Sequence, residues 1–449
     1  MVFSSFDFLF RFLPVFLMVY FLCPARWQNL CLLLGSLLFY LYGTWKHPLY
    51  FLLFLLSLGI NYKVGAMIGT RRESSLKKRW LLFGVIWNLG WLLVFKYSPL
   101  PLPLGVSFYT FQGLAYLADI YRNDVRYERS LVNFGAHFAM FPHLTSGPIT
   151  PYIEARPQLI ARNVGLNRLE AGLREFTIGL GLKVLIANRL GGLWSQVGAI
   201  GYESISTPLA WLGIIAYSLQ LYFDFCGYSI MAKGLGTVLG FDLPDNFAHP
   251  YLSVSMTEFW RRWHITLGAW FRDYIYIPLG GSRAGRLKTF RNLFVVWACT
   301  GIWHGASWNF VLWGMILFVL IAVEKLGLLK LFERVRPLGH LYMFFAICLT
   351  WLVFAISDLS QMKLYFSRLF PFLPQPEGVA YFAGDFLKYG KIYGLSLTLG
   401  LIFMTDLPRK LYNRYCHSFV VALGLVVIFW ICVYCIKMGM DDPFMYFAF

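Results

Sequence analysis

The chain has 449 residues, of which 58% are hydrophobic and only 14% charged, with a formal net charge of +17. So little polar surface excludes a water-soluble globular protein of this length. The positive excess falls in short gaps between apolar runs, which reads as positive-inside bias and excludes a nucleic-acid-binding role.

Apolar stretches of about 17–25 residues recur from end to end, long enough to cross about 30 Å of hydrocarbon as helices. The first, around Phe8–Cys23, has Asp7 and Arg11 at its start and no small-residue cleavage site behind it, so it reads as a retained span. Spans follow near 29–44, 49–68, 80–96, 104–120, 175–198, 208–224, 226–241, 339–357, 391–406 and 418–437. The expected fold is therefore all-α and polytopic, with about 11 transmembrane helices in one membrane domain over 1–449. Basic groups at Arg71–Arg79, Arg122–Arg129, Arg156–Arg174, Arg283–Arg291, Lys330–Arg336 and Arg409–Arg414 mark the cytoplasmic face, and Arg26 then sets the N-terminus outside. Segments 131–150 and 244–282 are less apolar and broken by Pro and Gly, the pattern of re-entrant or interfacial elements. The stretch Asp358–Lys391 reads as the one sizeable outer loop. The eight cysteines give no disulfide framework, and Cys432-x-x-Cys435 lies inside an apolar run.

Between the basic groups at Arg283–Arg291 and Lys330–Arg336 the chain must enter the bilayer and return. Its middle is Gly301-Ile302-Trp303-His304-Gly305-Ala306-Ser307. From Asn292 a helix rises about 18 Å to reach His304, which sets an imidazole past the bilayer midplane, near the apex of a hairpin, with small neighbours. Thr300 and Trp308, one turn before and after, are expected on its helix face. A titratable group at such depth is costly and usually functional. A neutral imidazole there suits general-base chemistry, and a packing histidine is the plainer reading.

Ser255-x-x-Glu258 fits a capping box and predicts a helix from this point. Trp260, His264, Leu267 and Phe271 then share one face, and Arg261 and Arg272 another. Aromatics mixed with arginines suit an interfacial anchor, which explains His264 and Asp273 less well. Equally, Arg261, Arg262 and Arg272 could hold a phosphate-bearing donor by charge-assisted hydrogen bonds. Asp224, among aromatics where two spans meet, needs a partner. A structural lock to an arginine or to backbone amides is favoured over direct catalysis. His47, His249, His340, His417, His137 and His143 show no ligand spacing. With no zinc spacing, phosphate-binding loop or nucleophile elbow, neither a metal nor nucleotide hydrolysis is expected.

The blocks SVSMTEFWRRWHITLGAWFRDYIYIPLGGSR and RNLFVVWACTGIWHGASWNFVLWG resemble the membrane-bound O-acyltransferase superfamily, and within it the bacterial alginate O-acetylation branch. The likeness extends to MVFSSFDFLFRFLPVFLMVY, FPHLTSGPI, LYFDFCGYSIMAKGLGTVLGF and the terminal DDPFMYFAF. The resemblance implies helices surrounding a tunnel in a bacterial inner membrane. It places the catalytic histidine on His304, within Trp303-His304-Gly305, as a base toward the acceptor hydroxyl or as the carrier of an acyl-imidazole, and a second important histidine on His264, in the Trp260–His264 match. It further implies acetyl-CoA or another acyl thioester as donor, no bound cofactor, and an extracytoplasmic SGNH-hydrolase-like partner that acylates a polymer such as alginate, cellulose or peptidoglycan. Cys226 stands where the family pattern has serine and His143 where it has glutamine, so the acceptor stays open. D-alanyl transfer to teichoic acid, a flippase for a lipid-linked sugar and a non-catalytic scaffold are the alternatives.

Overall fold

A computed structural model describes residues 2–283, 285–374 and 382–439. Among these residues the chain is helical, with no strand and one isolated antiparallel bridge, Phe247 to Trp263. Seven helices are long and apolar enough to cross a membrane: Pro48–Thr70, Ser74–Tyr97, Leu166–Ile200, Thr207–Val238, Trp308–Arg334, Arg336–Ala355 and Phe419–Lys437. The other expected spans are also helices, at Phe8–Leu22, Gln28–Gly43, Val106–Arg122 and Asp385–Phe403, but fall short of that length or apolarity. The terminal DDPFMYFAF match lies outside the described residues.

Two expectations are corrected. The spans placed at 208–224 and 226–241 are one continuous helix, Thr207–Val238, whose 32 residues rise about 48 Å. Asp224 and Gly227 look like a junction in sequence. The carboxylate is neutralised inside the protein, however, so the helix has no reason to break there. The stretch Asp358–Lys391 is not a loop throughout. Asp358 caps the helix Leu359–Leu369 by accepting from the Gln361 N–H at 2.8 Å, and Met362, Tyr365 and Leu369 bury its apolar face. Helix Asp385–Phe403 begins well before Lys391, and residues 375–381 of this stretch lie outside the described residues.

The chain clusters into two compact units. The first comprises Met1–Gly179, Tyr228–Asp245 and Arg272–Tyr274. Its helix Val106–Arg122 is almost wholly buried, entered through Gly105 and left through Asn123, both in left-handed backbone. At Gly105 a side chain would collide with the Leu144 carbonyl. Buried Asn61 and Asn88 exchange reciprocal amide hydrogen bonds of 3.1 and 2.9 Å between helices, the kind of polar tie that membrane helices use. Segment 131–150 holds only the short helices Leu131–Phe138 and Phe141–Leu144, and residues 134–150 are buried throughout. Irregular backbone at membrane depth survives in such surroundings.

The second unit comprises Leu180–Gly227, Asn246–Phe271 and Ile275–Phe449. Its centre is the expected hairpin. Helix Arg286–His304 starts on three cations and turns through Gly305, Ala306 and Ser307 into helix Trp308–Val323. The two pack closely because glycines face backbone. A β-carbon at Gly301 would meet the Phe310 carbonyl at 2.7 Å, and one at Gly314 the Trp297 carbonyl at 2.6 Å. This is the small-residue packing by which membrane helices approach one another.

Candidate active site

His304 is the last residue of its helix and only 5% exposed. Nineteen helical residues raise it about 28 Å from Arg286, so the imidazole stands at the apex of the hairpin, far from the cationic end. Four rings cage it, with centroids at 4.5 Å for Trp303, 5.1 Å for Trp313, 5.1 Å for Phe354 and 6.0 Å for Phe310. Asn309 fixes the cage by donating its amide N–H groups to the Val353 and Phe354 carbonyls at 3.1 and 3.0 Å. Thr300 is buried one turn below, donating to the Val296 carbonyl. Trp308 does not share this face. The helix ends at His304, and Trp308 opens the next helix at 77% exposure.

His264 departs from the expected helix. Ser255 caps as predicted, accepting from the Glu258 N–H at 3.1 Å, and the Glu258 carboxylate accepts in return from the Val254 N–H at 2.9 Å. The helix nevertheless covers only Met256–Arg262, and a second begins at Ile265. Between them His264 takes φ +44°, a left-handed conformation costing about 1–3 kcal/mol for such a residue. Trp260, His264, Leu267 and Phe271 therefore do not form one helix face. Asn246 holds the turn. Its carbonyl accepts from the Ile265 N–H at 3.0 Å, and its Oδ1 accepts from Thr266 Oγ1 at 2.7 Å and from the Thr266 N–H at 3.3 Å. Because Oδ1 accepts these bonds, the His264 Nδ1 at 3.3 Å must carry the proton. That leaves Nε2 as a bare lone pair, buried and without a partner among the described residues. Phe225 stands edge-on to the ring at 4.7 Å.

A tryptophan cluster links the two histidines. Trp263 meets Trp351 at 5.1 Å, Trp351 stacks on Trp313 at 6.0 Å, and Trp313 meets His304 at 5.1 Å. Trp260 packs against Trp313 at 5.6 Å and Trp351 at 6.1 Å. The indole N–H groups of Trp260, Trp313 and Trp351 are buried with no acceptor among the described residues. Leaving a donor so costs about 1–3 kcal/mol each.

The three candidate donor-binding arginines divide. Arg261 and Arg262 belong to the second unit and Arg272, with Asp273, to the first. Arg262 is tied to Glu258 at 2.5 Å, whereas exposed Arg261 has no carboxylate partner among the described residues. Arg272 is engaged twice by Asp273, at 2.7 and 2.9 Å, which raises the guanidinium above its ordinary range. This explains Asp273, which the interfacial-anchor reading left without a role.

Asp224 is locked, but by a lysine. Lys183 Nζ lies 2.8 Å from its Oδ1, with both side chains 2% exposed, and also donates to Asn188 Oδ1 at 2.7 Å. Lys183 sits in the π-helical turn Leu182–Ala187. The signal for it was there: one lysine alone inside Gly181-Leu182-Lys183-Val184-Leu185-Ile186, whose charge demands a partner. Glu324 was also missed. It is fully buried, and its carboxylate accepts from the N–H groups of Met256 at 2.6 Å and Thr257 at 2.8 Å, from Thr257 Oγ1 at 2.7 Å and from the Tyr342 hydroxyl at 3.0 Å. It fastens the short helix bearing Trp260, Arg261 and Arg262 to the hairpin. Among the described residues no group of three His, Cys, Asp or Glu is placed to hold a metal ion.

The profile of the membrane-bound O-acyltransferase family matches residues 49–357, which include both histidines and the whole tryptophan cluster. The chain belongs to that family. This O-acyltransferase is 39% identical over 398 residues to the probable alginate O-acetylase of Azotobacter vinelandii, covering 83% of this chain and 78% of the relative. It is 38% identical to the probable alginate O-acetylase of Pseudomonas aeruginosa, over 83% of this chain and 75% of the relative. To the peptidoglycan O-acetyltransferase of Helicobacter pylori it is 33% identical, over 80% of this chain and 78% of that protein. The O-acyltransferase is thus a multi-pass membrane enzyme with bacterial relatives, its two histidines joined by one aromatic cluster.

Proposed function

We propose that the enzyme moves an acetyl group from a cytoplasmic thioester, acetyl-CoA, across the bacterial inner membrane for O-acetylation of an extracytoplasmic polysaccharide. The observation that carries this reading is His304, buried at the apex of a helical hairpin about 28 Å from its cationic base. A thioester is already activated, so the acceptor hydroxyl needs chiefly a base. His304 takes that proton as the oxygen attacks the acyl carbon, and returns it to the departing thiolate. Positioned proton transfer of this kind contributes typically about 10²–10⁴-fold. His264, with its bare Nε2, accepts a hydrogen bond from a second, non-reacting hydroxyl of the acceptor and orients it. Donor phosphates dock at Arg261, whose guanidinium is exposed and has no carboxylate partner among the described residues. The donor thioester reaches the apex through a passage among the packed helices. The acetyl group then leaves on the outer side to an SGNH-hydrolase-like partner, for which the stretch following Asp358 is the proposed docking place.

Deletion of the gene tests this. Acetate released by mild alkali from the purified envelope polysaccharide should vanish in the deletion strain and return on complementation. Unchanged acetate in the deletion strain contradicts the reading.

A further inference from the structure

The mechanism above uses two imidazoles and leaves three buried donors unexplained. Trp260, Trp313 and Trp351 come from three different helices, Met256–Arg262, Trp308–Val323 and Arg336–Ala355. Their ring centroids form a triangle with sides of 5.6, 6.0 and 6.1 Å. Each points an indole N–H at no acceptor among the described residues. Three such donors on rings in mutual contact, one ring 5.1 Å from His304, call for an acceptor that the described residues do not supply. Indole N–H groups donate only, and buried, fixed donors are most effective toward an oxygen that develops negative charge.

We propose that the indole N–H groups of Trp313 and Trp351 hold the acyl carbonyl oxygen beside His304 and stabilise the oxyanion that forms on it, with Trp260 donating from the third side. The inference rests on the proposed base role of His304. In the step, the acceptor O–H proton passes to His304 and the oxygen lone pair forms a bond to the acyl carbon. The carbonyl π pair moves onto oxygen, where the indole donors meet it. Collapse restores the carbonyl, breaks the carbon–sulfur bond and lets the thiolate take the proton from His304. A rigid donor set buried from water suits such stabilisation because it needs no reorganisation as the charge appears.

Trp313→Phe and Trp351→Phe keep an aromatic ring and remove the N–H. In inverted membrane vesicles supplied with acetyl-CoA, each should lower the turnover rate of thiol release by about 10²-fold with KM for acetyl-CoA unchanged. Trp297→Phe, the same truncation at the edge of the cluster, should stay within about threefold of the unmodified enzyme, since the Trp297 N–H is not among the orphaned donors. Wild-type rates in both Trp313→Phe and Trp351→Phe would overturn the proposal and leave the role of His304 standing. A fully active His304→Ala would instead remove the base reading itself. Infrared spectra of a bound ketone analogue of acetyl-CoA, labelled with ¹³C at the carbonyl, keep the test open if a variant misfolds. In the wild-type enzyme the carbonyl band should move to lower wavenumber, and an unshifted band would contradict the assignment.

Discussion

Replacing His304 by alanine is expected to abolish acetyl transfer to the polysaccharide, a loss of at least about 10²–10⁴-fold, while the protein accumulates in the membrane at wild-type levels. The reasoning is geometric. The imidazole ends its helix and projects among the rings of Trp303, Phe310, Trp313 and Phe354. Removing it deletes the proposed proton acceptor but leaves the hairpin, which depends on the close approach of Gly301 and Gly314 to backbone. A scaffold that merely anchors a partner enzyme would keep its function in this variant, so the measurement separates a catalyst from a support. Polymer-bound acetate, normalised to the amount of the protein by immunoblot, is the readout.

The second large effect concerns stability. Lys183 and Asp224 are each 2% exposed and lie 2.8 Å apart. Lys183→Met removes the counter-charge of the carboxylate, and Asp224→Leu removes that of the ammonium group. Either single change should destabilise the fold by about 3–5 kcal/mol, because a buried charge that loses its counter-charge is not rehydrated in exchange. The double variant, which replaces the pair by apolar side chains, should recover most of that loss. Unfolding midpoints in a titration of SDS into detergent-solubilised protein measure this directly. A double variant no better than the sum of the singles would show that the ion pair does not hold the helices bearing these two residues.

What the sequence made legible was mostly what a single local pattern decides. Two flanking basic clusters required the hairpin, and its apex fell on His304 as the spacing demanded. The serine cap at Ser255 followed from residues three apart. What escaped depends on partners distant along the chain. Asp224 needs Lys183, 41 positions earlier, and reading Asp224 and Gly227 as a junction split one helix into two. The left-handed turn at His264 is imposed by Asn246, whose amide and carbonyl reach residues 264–266. Nothing in the local pattern distinguishes that turn from a continuing helix. Glu324 follows an apolar helix and precedes Lys325, which in sequence suggests an ordinary solvated helix end. Its four bonds to Met256, Thr257 and Tyr342 exist only once the hairpin folds back on the arginine-bearing helix.

Sided isotope transfer bears most directly on whether an acetyl group crosses the membrane at His304. Radiolabelled acetyl-CoA is supplied only to the exposed cytoplasmic face of sealed inverted vesicles, and label is counted on polysaccharide recovered from the lumen. Wild-type vesicles should accumulate luminal polymer-bound label, and vesicles holding an equal amount of the His304→Gln protein should accumulate none above that of the deletion strain. Equal luminal label from the two would contradict the account.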